Sequence, residues 1–323
     1  MKLATFCDQR GSRIGVVDAA QGRLFDLAAA DPAFSDMLAL IEAGPPALQQ
    51  ARNVLARRGG EAALWQKLDA VALQAPLPRP VQMRDAMSYA THIRQSGAGS
   101  RRLAALLAGD AAAATAVTVP PDVDRVYRER PIYYLTNRMI VGAPESAVQW
   151  PRYSRVADFE LELAMVVGRS GRDIALADAS AHIFGYTIFN DFSARDAQML
   201  EMPGRLGPAK GKSFDGGNVL GPWIVTADEI PDPQALAVEV RVNGETWARN
   251  TTADMLFDFP AIIAYISRDE TLHAGEVIGS GTVGNCTGLE QGRFLHDGDM
   301  IELEIERIGI LRNRIAMPQG SAV

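Results

Sequence analysis

The chain has too few cysteines, too little positive charge and too short an apolar run for several whole classes of protein. Among its 323 residues only Cys7 and Cys286 are cysteines, and they lie far apart. This argues against a disulfide framework and leaves too few thiolates for a structural zinc site. Acidic residues outnumber basic ones, giving a net charge of −7. With no basic stripe, nucleic acid and anionic membrane surfaces are disfavoured as partners. No apolar run approaches the ~20 residues of a membrane helix. The N-terminus, "MKLATFCDQRGSR", lacks the apolar core of a signal peptide, so the expectation is a cytoplasmic protein. What is present is ordinary: 47% hydrophobic and 22% charged, a globular composition sufficient for one large domain or two moderate ones.

Residues 1 to 27 read as short strands with turns at "DQRGSR" and "DAAQGR", followed by Ala- and Leu-rich helices near 34–43 and 46–58. The prolines of "APLPRP" at 75–80 suit an extended connector, so a boundary is placed there. This gives a small α+β N-terminal domain, 1–78, and a larger domain, 79–323. In the larger part "ELELAMVVG", "HIFGYTIFN", "GPWIVT", "LAVEVRVNGE", "EVIGSGTV" and "DMIELEIERIG" read as strands, with one clear helix near 252–267. Its alternating segments predict antiparallel, half-buried strands, hence a mainly β domain, closed or rolled up, with some α. The stretch 93–130 reads as long and irregular, with 100–117 helical at first and then too Ala- and Thr-rich to assign; its Ala and Gly content suggests a mobile lid over a site.

Several acidic positions stand out. In "DFELELAMVVGR" (158–169) Asp158, Glu160 and Glu162 occupy alternate places, so they share one face of a strand opposite Phe159, Leu161 and Leu163. Such a face is either solvated or covered by a cation. "GYTIFNDFSARDAQ" (185–198) runs an apolar strand into Asp191, which can cap a turn or ligate. In "RDAMSYATHIRQ" (84–95) Asp85 occupies an N-cap-like position, with His92 about two helical turns later on the same face. An all-oxygen set of this kind suits Mg²⁺ or Ca²⁺, with Mn²⁺ possible, and not zinc.

Together these motifs resemble the fumarylacetoacetate hydrolase family over roughly 80–308. The resemblance implies a fumarylacetoacetase-type β-roll catalytic domain in which Asp85, Glu160, Glu162 and Asp191 bind the metal. "NDFSARDAQ" places Arg195 and Gln198 toward the substrate, and "LGPAKGKSFD" places Lys212 in the active site. "GSGTVG" puts Thr282 at the substrate carboxylate, "RPIYYLTN" puts Tyr134 near the substrate, and "NCTGLEQG" supplies Glu290 to orient the base His92. There are departures: Ala86 and Met87 replace larger aromatic residues, and "GNCTGLE" differs from the usual glycine-rich version. Both fall at the pocket wall and bear on substrate identity.

The implied reaction is hydrolysis of the carbon–carbon bond of a β-diketo acid, of fumarylacetoacetate or acylpyruvate type. His92 would activate water, steadied by Glu290, and Lys212 and Gln198 would stabilise the oxyanion. The partner expected is a small anionic 2-oxo or β-diketo acid, and the family implies a homodimer. Two alternatives stand beside this reading: a decarboxylase or isomerase of a 2-oxo acid on the same metal site, and a metal-stabilised binding protein without catalysis.

Overall fold

Alternation in the sequence becomes sheet. In a computed structural model, which describes residues 1–318, two large sheets form the body. The larger one begins with the N-terminal strands Trp65–Lys67, Arg23–Asp26, Gly11–Asp18 and Lys2–Asp8. It continues through Asn218–Thr226, Ile183–Asp191, Glu160–Val167 and Val277–Thr287 to Met83–Ala86 and Tyr133–Leu135. The smaller sheet holds Glu245–Thr251, Ala237–Val242, Met300–Ile305, Gly309–Ala316 and Ala147–Gln149. The mainly β class with some α, expected from the sequence, is what forms.

Residues 1–78 contain the expected strands and the helices Met37–Glu42 and Gly44–Arg58. Their first strand pairs with Asn218–Thr226, Lys2 opposite Val225 and Leu3 opposite Ile224. Hydrogen bonding therefore runs without a break from this module into the sheet that bears the acidic positions.

The strand Glu160–Val167 shows how packing creates a site. Leu161, Leu163, Met165 and Val167 enter one buried cluster with Val238, Val240, Ile301 and Leu303 of the second sheet. On the opposite face Ala164 and Val166 enter another cluster with Met37, Leu40 and Ile41 of the N-terminal helices. Each fully buried Leu or Ile is worth about 1.5–3 kcal/mol. The next positions along that second face are Glu162 and Glu160, also buried. A single face thus passes from apolar core to acid, and the solvated reading of the glutamates is excluded.

Three local expectations are corrected. Asp85 does not cap a helix: it lies in the strand Met83–Ala86, and Tyr89 is the N-cap of the helix Ala90–Leu107. His92 therefore shares no helical face with Asp85. The segment 93–130 is largely helical, as Ala90–Leu107, Ala111–Ala116 and Arg125–Glu129. Its alanine content is helix propensity. The helix near 252–267 is shorter, Phe259–Ile266, because the Asp258 side chain caps it by accepting from the Ala261 N–H at 2.8 Å and Pro260 sits in its first turn.

The helix Ala90–Leu107 buries His92, Gly99 and Leu103, a stripe at helical spacing. Gly99 is required by close approach, since a Cβ there would lie 2.5 Å from the Leu289 carbonyl oxygen. That contact seats His92 beside the turn bearing Glu290. Gly99→Ala is expected to cost about 1–3 kcal/mol through overpacking, despite alanine's better helix propensity. A denaturation midpoint at or above wild type would contradict this seating.

Candidate active site

Neighbouring strands bring the carboxylates together. Asp191 ends Ile183–Asp191, Glu162 lies on the adjacent Glu160–Val167, and Asp85 lies on Met83–Ala86, beyond one intervening strand. The intervening strand, Val277–Thr287, has Gly279 opposite Asp85. A Cβ on Gly279 would sit 2.5 Å from Glu162 Oε2 and 2.7 Å from Asp85 Oδ1, so the missing side chain is what opens the space. Asp85, Glu162 and Asp191 can each offer an oxygen within 4.8 Å of the others. All three are buried, and Asp85 Oδ1, Glu162 Oε1 and Asp191 Oδ1 have no hydrogen-bond partner.

Unpartnered buried carboxylate oxygens are costly. Burial pushes the Asp85 carboxyl up to about 7. Burial and the adjacent Asp85 charge hold Glu162 well above the usual carboxylate range. Orphaned oxygens, a cleared cradle and an all-oxygen donor set fit a hard divalent cation such as Mg²⁺, Ca²⁺ or Mn²⁺.

Glu160, expected in the same ligand set, is engaged differently. Its carboxylate accepts from Lys212 Nζ and, at 2.7 Å, from Arg195 Nη2. Burial alone would raise its pKa, but the Lys212 and Arg195 cations hold it well below the usual range. Lys212 Nζ also donates to Asp191 Oδ2 at 2.6 Å, as does the Tyr134 hydroxyl at 2.6 Å. Lysine and tyrosine thus occupy one side of Asp191 and leave Oδ1 open.

Arg195 is fixed by partners the sequence reading left out. The pairs Ala157↔Ala194 and Asp158↔Ser193 deliver it beside Asp158. Its Nε donates to Asp158 Oδ2 at 2.7 Å, Nη2 to Thr287 Oγ1 at 2.8 Å and Nη1 to Gln198 Oε1 at 2.9 Å. Because Arg can only donate, the Gln198 oxygen must face it, which leaves Gln198 Nε2 to donate elsewhere. Asp158 also accepts from the Gly288 and Leu289 N–H groups at 2.8 and 3.0 Å, tying Arg195 to the turn that carries Glu290. Alternation had placed Asp158 on the site's face, a signal for this role that the ligand-centred reading did not use. Asp196 pairs locally, accepting from the Ser154 hydroxyl at 2.5 Å and the Arg155 N–H at 2.8 Å.

Glu290 Oε1 lies 2.9 Å from His92 Nδ1. The carboxylate assigns the proton to Nδ1 and leaves Nε2 as a lone-pair acceptor. Burial would lower the His92 pKa, but the hydrogen bond and charge of Glu290 more than offset it, and the net direction is up. His92, Tyr134, Arg195, Gln198, Lys212 and Thr282 all line one cavity of about 500 Å³, together with Asp85, Glu160 and Glu162. Asp191 and Glu290 stand behind these walls.

The model of the fumarylacetoacetate (FAA) hydrolase C-terminal domain matches residues 84–316. The chain belongs to this family. A mitochondrial oxaloacetate tautomerase of Bos taurus is 31% identical over 310 residues, 94% of this chain and 88% of that protein. An oxaloacetate tautomerase of Bacillus subtilis is 42% identical over 159 residues, 49% of this chain and 52% of that one. Among solved structures, the fumarylacetoacetate hydrolase of Exiguobacterium antarcticum is 30% identical with a TM-score of 0.70, covering 98% of this chain and 100% of that chain. The maleylpyruvate hydrolase of Sphingobium sp. SYK-6, in complex with manganese(II) and pyruvate, is 25% identical with a TM-score of 0.71, covering 99% and 100%. The family therefore includes tautomerases and hydrolases of small acids. Among the described residues, no helix is long and apolar enough to cross a membrane.

Mn²⁺ is expected to stabilise the wild type by about 2.7 kcal/mol at a hundredfold excess over Kd, read as a rise in melting temperature. Gly279→Ala, whose Cβ intrudes between Glu162 and Asp85, should lose that shift. An equal Mn²⁺ shift in both proteins would place the ion elsewhere.

Proposed function

We propose that the protein is a divalent-metal-dependent hydrolase of β-diketo acids of the acylpyruvate type, with His92 as the base. The observation that carries this reading is the His92–Glu290 pair, buried in the wall of a cavity that also holds orphaned carboxylates and two fixed cations. Asp85, Glu162 and Asp191 would hold the metal, with Glu160 at its edge. The bound cation would supply Lewis-acid polarisation of the 2-oxo-acid oxygens.

The chain's own groups account for the rest. Arg195, Tyr134 and Thr282 would orient the 2-oxo-acid end. His92 Nε2 takes a proton from water as its oxygen attacks the remote acyl carbonyl, and Glu290 steadies the imidazolium. Lys212 and Gln198 Nε2 donate to the developing oxyanion, worth roughly 2.7–4 kcal/mol per donor by analogy with other oxyanion holes. The bond between C3 and the acyl carbon then breaks, its electron pair going to C3, and the proton held by His92 is returned there. A carboxylic acid and pyruvate leave. In the cell the working form in this proposal is a cytoplasmic homodimer, which light scattering would register at twice the chain mass of 34.8 kDa.

Acetylpyruvate is expected to lose its enol absorbance with Mg²⁺ or Mn²⁺ and not with EDTA, giving acetate and pyruvate. His92→Asn should reduce kcat by about 10²–10⁴-fold while leaving Mn²⁺ binding intact. Full turnover by that variant would remove His92 from the chemistry.

The second reading, tautomerisation, is favoured by the full-length relatives, which bear that name. It predicts ketonisation of enol-oxaloacetate with no carbon–carbon cleavage, which product analysis separates from hydrolysis.

The raised His92 pKa sets a pH signature. The base is active only when neutral, so the acid limb of kcat/KM should lie above the ordinary imidazole value of ~6.5. Glu290→Gln removes the influence that raises it and leaves burial, so the limb should move down while kcat falls. A limb unmoved by Glu290→Gln would show that it reports another group.

A further inference from the structure

The cavity is strongly two-ended. Its inner wall holds Arg195 and Lys212, apart from His92 the only basic side chains among the described residues lining it. Both are already committed to acids: Arg195 to Asp158 and Glu160, Lys212 to Glu160 and Asp191. Away from the charged end the wall carries an apolar stretch, Met87, Met199, Met202, Pro203, Pro208 and Leu289, with the neutral Ser96 and Ser100 facing it.

The order of these groups along the chain gives the cavity a direction. Arg195 and Met199 are four residues apart on the helix Arg195–Glu201, hence on one face, and Met202 follows three residues later. Arg195 is 2% exposed, Met199 is half-buried and Met202 is 49% exposed. Charge therefore lies at the closed end and methionine toward the mouth. Opposite, the helix Ala90–Leu107 presents Ser96, Gly97 and Ser100, and a Cβ on Gly97 would meet only the Arg101 side chain, at 3.8 Å. Arg101 itself is exposed, donates to the Thr118 carbonyl at 3.4 Å and does not line the cavity. The departures Ala86 and Met87 also lie in this wall, where they leave space and an adaptable apolar surface.

From this arrangement we propose that the acyl group is neutral and apolar, an aliphatic or aromatic chain running out along the methionines, and that substrates with a second carboxylate at the far end are rejected. The inference rests on the 2-oxo-acid reading of the inner end. A distal carboxylate would be desolvated against thioethers and prolines, with no lysine or arginine on the cavity wall free of an acid partner, in a cavity whose inner end already holds an excess of acids. An alkyl chain there gains with each buried methylene.

The test compares two unreactive 2-oxo acids of equal length, 2-oxooctanoate and 2-oxosuberate, for binding to the Mn²⁺-loaded protein by calorimetry, with pyruvate as reference. The neutral-tailed acid is expected to bind tighter than the dicarboxylate by about tenfold or more, within the range one pocket contact can discriminate. Met199→Arg should invert that ratio. Because the readout is a ratio within one protein, a general loss of affinity leaves it unmoved. Pyruvate binding with equal or better binding of 2-oxosuberate would overturn this inference alone. Absence of pyruvate binding would overturn the reading of the inner end and the inference with it. Since neither acid is cleaved, a tail preference without acylpyruvate hydrolysis would uphold the inference and reject only the hydrolase.

Discussion

Five carboxylates, Asp85, Asp158, Glu160, Glu162 and Asp191, are buried around two buried cations, Arg195 and Lys212. The rest of the site is organised by that imbalance. A buried charge without compensation costs several kcal/mol, and the compensation here is unequal. Asp158 and Glu160 take the guanidinium, Glu160 and Asp191 take the ammonium, and Tyr134 adds a hydrogen bond. Asp85 and Glu162 receive no cation, and the open oxygens converge on one point. A divalent ion there removes most of the remaining excess with a single particle. A protein without such an ion would have to hold protons on acids that each keep one oxygen nothing else satisfies.

The fold supplies the rigidity this needs. Asp85, Glu162 and Asp191 come from three strands of one sheet whose other faces are packed core, so none of them sits on a long loop. The strand between Glu162 and Asp85 has a bulge-like register change opposite Glu160 and Glu162, where the ladder jumps from Thr287 to Thr282. Such irregularities re-aim side chains beside active sites. The His92–Glu290 pair is built differently. His92 is delivered by a helix and Glu290 by the turn Gly288–Gln291, and the two meet because Gly99 lets the helix touch Leu289. Asp158 binds that turn and Arg195 at once, so His92, Glu290 and Arg195 are parts of one network.

Much of this was legible in the sequence, in a way that follows from the range of each interaction. Alternation at Glu160–Val167 and at Met300–Ile305 is local and reported its strands directly. The Asn190-Asp191 terminus likewise fell where an apolar strand ended. Asp85 was misread because a seven-residue spacing suits a helix as well as a strand, a turn and a first helical turn. What decided between them was pairing with Gly279, nearly two hundred residues away. The stretch 93–130 read as irregular because its Ala and Gly residues give no periodic signal, although Gly99 serves close packing within a helix. The separation of Glu160 from the open triad depends on where Lys212 and Arg195 point, which spacing does not encode. The methionine wall was hidden for the same reason: Met87, Met199 and Met202 are ordinary apolar residues until the fold sets them around one cavity.

The central claim is that Asp85, Glu162 and Asp191 hold a divalent cation at the inner end of the cavity. Diffraction from crystals grown with Mn²⁺, recorded where manganese scatters anomalously, tests it most directly. The account expects one strong peak between Gly279 and those three side chains, in bonding contact with an oxygen of each. A peak bound only at other sites, or none at saturating Mn²⁺ with the three carboxylates still buried, would contradict it.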